Sequence, residues 1–120
     1  MAVGQPQGML LDMFGDIVKD AFGTDAVFHV GSSMGEDKVS WRDVDIRVLL
    51  TDEAWNKLGL LKPEQNHYDA KWRALCIVFS HYGRHLTGLP IDFQVQRIKD
   101  ANEQFKGGRS HVGTKTLKKE

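Results

Sequence analysis

The stretch HVGSSMGEDKVSWRDVDIRVLL, residues 29–50, decides how this chain is interpreted, because two aspartates alternate with apolar residues near its end. Such alternation predicts a β-strand whose successive side chains point to opposite faces of a sheet. One face of this strand would be apolar, and the other would carry Asp43, Asp45, Arg47 and Leu49. The two carboxylates are therefore either a solvated strand surface or half of a metal site.

Apolar periodicity in the rest of the chain predicts three helices and two further strands around this one. Thr51 is placed to cap the second helix, and Pro63 interrupts a loop before the third. This order of helices and strands along the chain indicates a small α+β domain, with helices packed on a small mixed or antiparallel β-sheet. The helices are expected at about residues 8–22, 52–59 and 67–87, and the strands at 25–30, 43–50 and 89–96.

The length of 120 residues, of which 41% are hydrophobic, fits one domain with a single core. The final segment, KGGRSHVGTKTLKKE, is rich in glycine and then in lysine and has few apolar residues. We therefore expect residues 1–106 to form the domain and residues 107–120 to form a flexible basic tail.

Composition excludes several classes of protein. Sixteen basic residues balance sixteen acidic ones, so any surface that binds nucleic acid has to be local. A single cysteine, Cys76, excludes an intramolecular disulfide framework and a cysteine-cluster zinc site, and it fits a reducing cytoplasm best. No apolar run approaches the roughly 18 residues of a membrane span, and no basic residue precedes the short N-terminal apolar stretch, so neither a membrane span nor a secretory leader is predicted.

A third aspartate lies on the last predicted strand, LPIDFQVQ, where Asp92 alternates with buried positions. If this strand neighbours the one that carries Asp43 and Asp45, three carboxylates converge on one polar face. Clustered carboxylates repel one another and raise each other's pKa unless a cation binds there. Mg²⁺ or Mn²⁺ prefers carboxylate oxygens and retains waters for a substrate phosphate.

The turn after the first predicted strand supplies a second kind of group. Gly31, Ser32 and Ser33 would expose backbone N–H groups and hydroxyls at a strand end, where such groups hold phosphates. A phosphate-holding turn beside a metal-holding face is the arrangement that phosphoryl or nucleotidyl transfer requires.

These motifs resemble the signature of the DNA polymerase β-type nucleotidyltransferase superfamily, and the small size resembles its minimal branch. The resemblance covers Gly31-Ser32, a ten-residue spacer, Asp43-Val44-Asp45-Ile46 and the later Ile91-Asp92-Phe93, somewhat over half the chain. It implies transfer of a nucleoside monophosphate from an NTP to an acceptor hydroxyl, with release of pyrophosphate. RNA, protein hydroxyls and small molecules are all acceptors within the superfamily.

The resemblance also implies residue roles. Asp43, Asp45 and Asp92 would be the catalytic carboxylates and the ligands of Mg²⁺ or Mn²⁺, with Asp92 orienting or deprotonating the acceptor hydroxyl. The nucleotide phosphates would contact Gly31, Ser32 and Ser33.

Three features depart from the family pattern. Arg42 precedes the first aspartate, where many members have a small hydroxyl residue. Arg47 stands on the carboxylate face, where it either neutralises nucleotide phosphates or forms an ion pair that replaces the metal. The chain also has no second domain to hold an acceptor, which points to a homo-oligomer or to an acceptor-binding partner protein. The alternative function is a catalytically silent module of the same fold that binds NTP or a protein partner in a regulatory role.

Overall fold

A computed structural model describes residues 6–30, 43–104 and 109–114. The predicted site residues Gly31, Ser32 and Ser33 lie outside this part of the chain. The described residues form four α-helices, a 3₁₀ helix and four strands: α1 Gln7–Phe22, β1 Val27–Val30, β2 Val44–Leu50, α2 Asp52–Lys57, the 3₁₀ helix Pro63–Tyr68, α3 Ala70–Thr87, β3 Ile91–Arg97, α4 Ile98–Gln104 and β4 Ser110–His111.

The strands form one mixed sheet in the order β3-β2-β1-β4. β2 is antiparallel to β1 and parallel to β3, and β4 is antiparallel to β1. Two parallel neighbours need a long crossover connection, and here α2, the 3₁₀ helix and α3 supply it. The predicted α+β class, with helices packed on a small mixed sheet, is confirmed.

The core lies between α1, α3 and the apolar face of the sheet. Phe93 of β3 is fully buried and contacts Phe14 of α1, with ring centroids 6.1 Å apart, and Phe79 of α3, at 5.2 Å. The predicted apolar face of β2 is buried throughout: Val44, Ile46, Val48 and Leu50 are at most 2% exposed. Alternation then directs Asp45 and Asp92 away from this core, to the opposite face.

The third helix begins later than the periodicity predicts. Asp69 ends the 3₁₀ helix and caps α3, its carboxylate accepting hydrogen bonds from the backbone N–H groups of Trp72 at 3.1 Å and Leu61 at 2.7 Å. The predicted helix start at residue 67 and the predicted loop around Pro63 are therefore wrong, because Pro63 opens a short 3₁₀ helix instead. The predicted cap of α2 is confirmed, since the Thr51 side chain accepts from the N–H of Ala54 at 3.1 Å.

Side chains of α3 cover the outer edge of β3. The indole of Trp72 donates to the carbonyl of Val95 at 2.9 Å, and the Arg84 Nε donates to the carbonyl of Ile91 at 2.9 Å. Between them, the Ser80 hydroxyl accepts from the N–H of Phe93 at 2.9 Å. These bonds satisfy edge groups that would otherwise pair with another strand, and they fix the strand that carries Asp92.

The expectation of a flexible tail does not hold for residues 109–114. β4 pairs with β1, Val112 is 2% exposed, and the N–H of Gly113 donates to Asp12 Oδ1 at 2.9 Å. Thr114 likewise donates its N–H to Asp16 Oδ1 at 3.0 Å. The strand is only two residues long, so its pairing depends on contacts with β1 and α1 that no local pattern reveals.

We expect Gly15→Ala to displace this C-terminal segment. A Cβ at Gly15 would lie 2.6 Å from Val112 Cγ1 and 2.8 Å from the Val112 carbonyl oxygen, and backbone cannot yield as a side chain can. The free energy of unfolding should fall by about 1–3 kcal/mol. Hydrogen exchange should show faster exchange at the N–H of Val112, which bonds to the carbonyl of Val27, with β2 and β3 unchanged. Unchanged protection at Val112 would contradict this packing.

No helix within the described residues combines the length and the apolar character that a membrane span requires.

Candidate functional site

The polar faces of β2 and β3 bring two of the three predicted carboxylates together. Asp45 and Asp92 are direct partners in the parallel register, so their side chains leave the same face of the sheet. The Asp45 side chain is 24% exposed and that of Asp92 is 39% exposed. Both carboxylates are thus partly desolvated and still accessible to a ligand.

Asp43 takes a more peripheral position. It precedes β2 by one residue and is exposed, although its charge acts on Asp45. In the part of the chain that the structure describes, no three His, Cys, Asp or Glu side chains are grouped as a metal site would group them. The carboxylate pair is therefore Asp45 and Asp92, with Asp43 contributing at longer range.

Arg47 lies beside this pair and is 5% exposed. Its Nη1 donates to the carbonyl of Asp92 at 2.7 Å and to the carbonyl of Ile46 at 3.0 Å. Its Nη2 lies 3.8 Å from both Asp45 Oδ1 and Asp92 Oδ2. A separation of 3.8 Å is an ion pair but exceeds the length of a direct hydrogen bond.

Burial is the largest influence on the pKa of both Asp45 and Arg47. Burial raises the pKa of Asp45, and the negative charges of Asp92 and Asp43 raise it further, while only the guanidinium of Arg47 lowers it. Burial also lowers the pKa of Arg47, against the opposing influence of Asp92 and Asp45. Among the described residues, three carboxylates act beside one guanidinium, and the resulting excess of negative charge favours a cation.

Cys76 lies near the pair but is not a candidate nucleophile. Burial raises the pKa of its thiol to about 11, so the reactive thiolate is scarce at neutral pH. The sequence interpretation of Cys76 as a small buried apolar residue agrees with this environment.

The described part of the first strand ends next to the carboxylate pair. Val30, the last described residue before Gly31, Ser32 and Ser33, is the antiparallel partner of Asp45. The chain therefore lies beside Asp45 at Val30, immediately before the residues of the predicted turn.

The donor chemistry of the pair fits a hard divalent cation. Two carboxylates are sufficient for Mg²⁺ in many sites, because water and substrate phosphates supply the other oxygens. Asp45 and Asp92 offer accessible carboxylate oxygens of the type that such a cation prefers.

A cleft of about 290 Å³ adjoins Asp92 on its outer side, between α3 and β3. Its walls carry Arg73, Ile77, His81 and Arg84 of α3. The sequence did not single out Arg73 and Arg84 as site residues, because charged side chains off the apolar stripe of a helix usually face solvent. The signal that places them on one line of the helix is the recurrence of Arg73, Ile77, His81 and Arg84 at spacings of three or four residues.

Comparison with known proteins gives no family assignment. No protein-family model, no curated protein and no solved structure matches this chain.

Proposed function

We propose that this protein is a metal-dependent nucleotidyltransferase, which moves a nucleoside monophosphate from an NTP to an acceptor hydroxyl and releases pyrophosphate. The observation that carries the proposal is the placement of Asp45 directly opposite Asp92, beside the anchored guanidinium of Arg47. Carboxylates in that position favour a divalent cation, and a guanidinium next to them favours phosphate.

The carboxylates of Asp45 and Asp92 would hold Mg²⁺ or Mn²⁺, with Asp43 adding negative charge nearby. Bound there, the cation would neutralise the charge of the triphosphate and of the departing pyrophosphate.

Asp92 is the better placed of the two carboxylates to act on the acceptor, because it is more exposed and lines the adjoining cleft. Its carboxylate would accept the hydrogen bond of the acceptor hydroxyl and then its proton. The hydroxyl oxygen would form a bond to the α-phosphorus, the bond from that phosphorus to the bridging oxygen would break, and pyrophosphate would leave.

Arg47 would act on the phosphates. Its Nη1 is fixed by two backbone carbonyls, so Nη2 is held at the pair and loses little freedom when it binds an anion. Phosphate oxygens bound at Nη2 would then offset the guanidinium charge, so that the carboxylates would attract the cation more strongly.

The direct test measures pyrophosphate release from each of the four NTPs, with Mg²⁺ and with EDTA, alone and with bulk RNA or cell extract as acceptor. We expect release that depends on Mg²⁺ and on an acceptor, that is lost in Asp45→Asn and Asp92→Asn, and that is reduced in Asp43→Ala. Absence of release from all four NTPs with every acceptor would refute the enzymatic function.

A second candidate, a silent module of the same fold, is favoured by one observation. Arg47 Nη2 lies 3.8 Å from both carboxylates and is thus placed to serve as an internal substitute for the metal. Calorimetry separates the candidates: binding of Mg²⁺-NTP without any pyrophosphate release would support the silent module.

The proposal extends to location and assembly. A buried, protonated Cys76 thiol fits a reducing cytoplasm. A second copy of the chain or a separate partner protein would add to the surface that holds the acceptor.

A further inference from the structure

The cleft beside Asp92 is positively charged along one wall. Arg73, His81 and Arg84 all line it, all come from α3 and are all exposed. Together with Ile77 they recur every three or four residues and so form one stripe, about 16 Å long at the usual helical rise. The formal charge of the whole chain is zero, so this stripe is a local basic surface.

The two arginines lie toward opposite ends of the cleft. Arg84 is anchored through Nε to the carbonyl of Ile91, the residue before Asp92. Arg73 follows Trp72, whose indole is anchored to the carbonyl of Val95 nearer the other end of β3. The exposed Ile77 lies between them and supplies apolar surface.

The carboxylate at one side of the cleft and the guanidinium groups along the facing wall indicate which chemical groups a ligand must carry. The carboxylate of Asp92 accepts a hydrogen bond from a hydroxyl, and it repels anions. Guanidinium groups bind phosphate through paired, charge-assisted hydrogen bonds. A ligand that satisfies both walls carries a hydroxyl and, a short distance away, a phosphate.

We infer that this cleft, referred to here as the α3 cleft, binds the acceptor, and that the acceptor is a hydroxyl-bearing molecule that also carries phosphate. The role of this ligand as an acceptor rests on the proposed nucleotidyl transfer. The binding of its phosphate, by contrast, requires neither a metal nor turnover. Cationic acceptors such as aminoglycosides are disfavoured by the same stripe. Arg73 binds the phosphate at one end of the cleft, Arg84 adds positive charge at the other end, and Asp92 faces the hydroxyl.

The test measures binding in EDTA, where no metal contributes, by the full chain. The probes are adenosine, adenosine 5′-monophosphate and a short single-stranded oligoribonucleotide with a free 3′ hydroxyl. We expect the phosphorylated probes to bind at least about tenfold more tightly than adenosine, and Arg73→Ala to weaken them about tenfold. Arg73 is exposed on a helix, so alanine there should not disturb folding.

Lys99→Ala is the matched control, because Lys99 is an exposed helical cation outside the cleft. Equal affinity for adenosine and its monophosphate, wild-type affinity in Arg73→Ala, or an equal loss in Lys99→Ala would each overturn the inference. Tighter binding of the oligoribonucleotide than of the monophosphate would support the end of an RNA strand as the acceptor, and equal binding would support a small phosphorylated one.

The two proposals fail in distinguishable ways. Phosphate binding that depends on Arg73, without pyrophosphate release under any condition, would support the phosphate site in the α3 cleft and refute the enzymatic function. Pyrophosphate release with no preference for phosphorylated probes would support the enzymatic function and refute phosphate binding in the α3 cleft.

Discussion

Arg47→Met is expected to destabilise the protein by about 2–4 kcal/mol at pH 7 in EDTA, measured by urea denaturation. The substitution keeps the apolar stem but removes the hydrogen bonds to the carbonyls of Asp92 and Ile46. It also leaves Asp45 and Asp92 as facing negative charges with no guanidinium between them. Arg97→Met is the matched control, because Arg97 also bonds a carboxylate, that of Asp100 at 2.9 Å, but at a partly exposed position. A loss below about 1 kcal/mol is expected there.

The same variant separates the two functions of Arg47 that the sequence left open. Without nucleotide, Mn²⁺ should bind Arg47→Met more tightly than wild type and should restore part of the lost stability, since a ligand at a hundred times its Kd adds about 2.7 kcal/mol. With a non-hydrolysable NTP present, wild type should bind Mn²⁺ as tightly or more tightly, because Arg47 then faces phosphate. Indifference of Arg47→Met to Mn²⁺ would contradict a cation site at the carboxylate pair.

Asp45→Asn is expected to reduce pyrophosphate release by at least about a hundredfold, because the loss of a metal ligand removes several kcal/mol of charge stabilisation. Asp92→Asn should have a similar effect, and in addition it removes the group that accepts the proton. Asp52→Asn, an exposed carboxylate at the start of α2, is the control and should retain activity. Wild-type turnover in Asp45→Asn would contradict the assignment of the pair.

Stability should respond to Asp45→Asn in the opposite direction from activity. The pKa of Asp45 is raised in the folded state, so ionisation of this carboxyl costs more free energy in the folded chain than in the unfolded one. Wild type therefore loses stability as the pH rises from about 3.8, the ordinary value, through the raised folded pKa. The asparagine variant lacks this loss, so its Tm should equal or exceed that of wild type at pH 7. A lower Tm at pH 7 would show that the carboxylate stabilises the fold.

The sequence predicted the central pair of strands because their patterns are strong. Alternation with period two in β2 and β3 assigns each side chain to a face, and this is why Asp45 and Asp92 could be expected on one patch. Nothing in that pattern predicts the burial of Arg47, which depends on two backbone carbonyls that only tertiary structure brings to it. The α+β class followed from the order of elements.

The sequence did not predict β4, α4 or the cleft formed by α3, and each has a physical reason. β4 has two residues, too few for any periodic signal, and it forms because β1 offers an edge and Gly15 lets Val112 approach. The seven-residue helix α4 continues directly from β3 with no loop to mark it. Arg73 and Arg84 belong to the polar side of α3, and their importance arises only when β3 places Asp92 across the cleft.

A crystal structure with Mn²⁺ and a non-hydrolysable NTP tests the central claim most directly. We expect an anomalous Mn²⁺ peak between the carboxylates of Asp45 and Asp92, with the Arg47 guanidinium in contact with the triphosphate. A saturated crystal in which Arg47 still lies 3.8 Å from both carboxylates, with no Mn²⁺ between them, would contradict it.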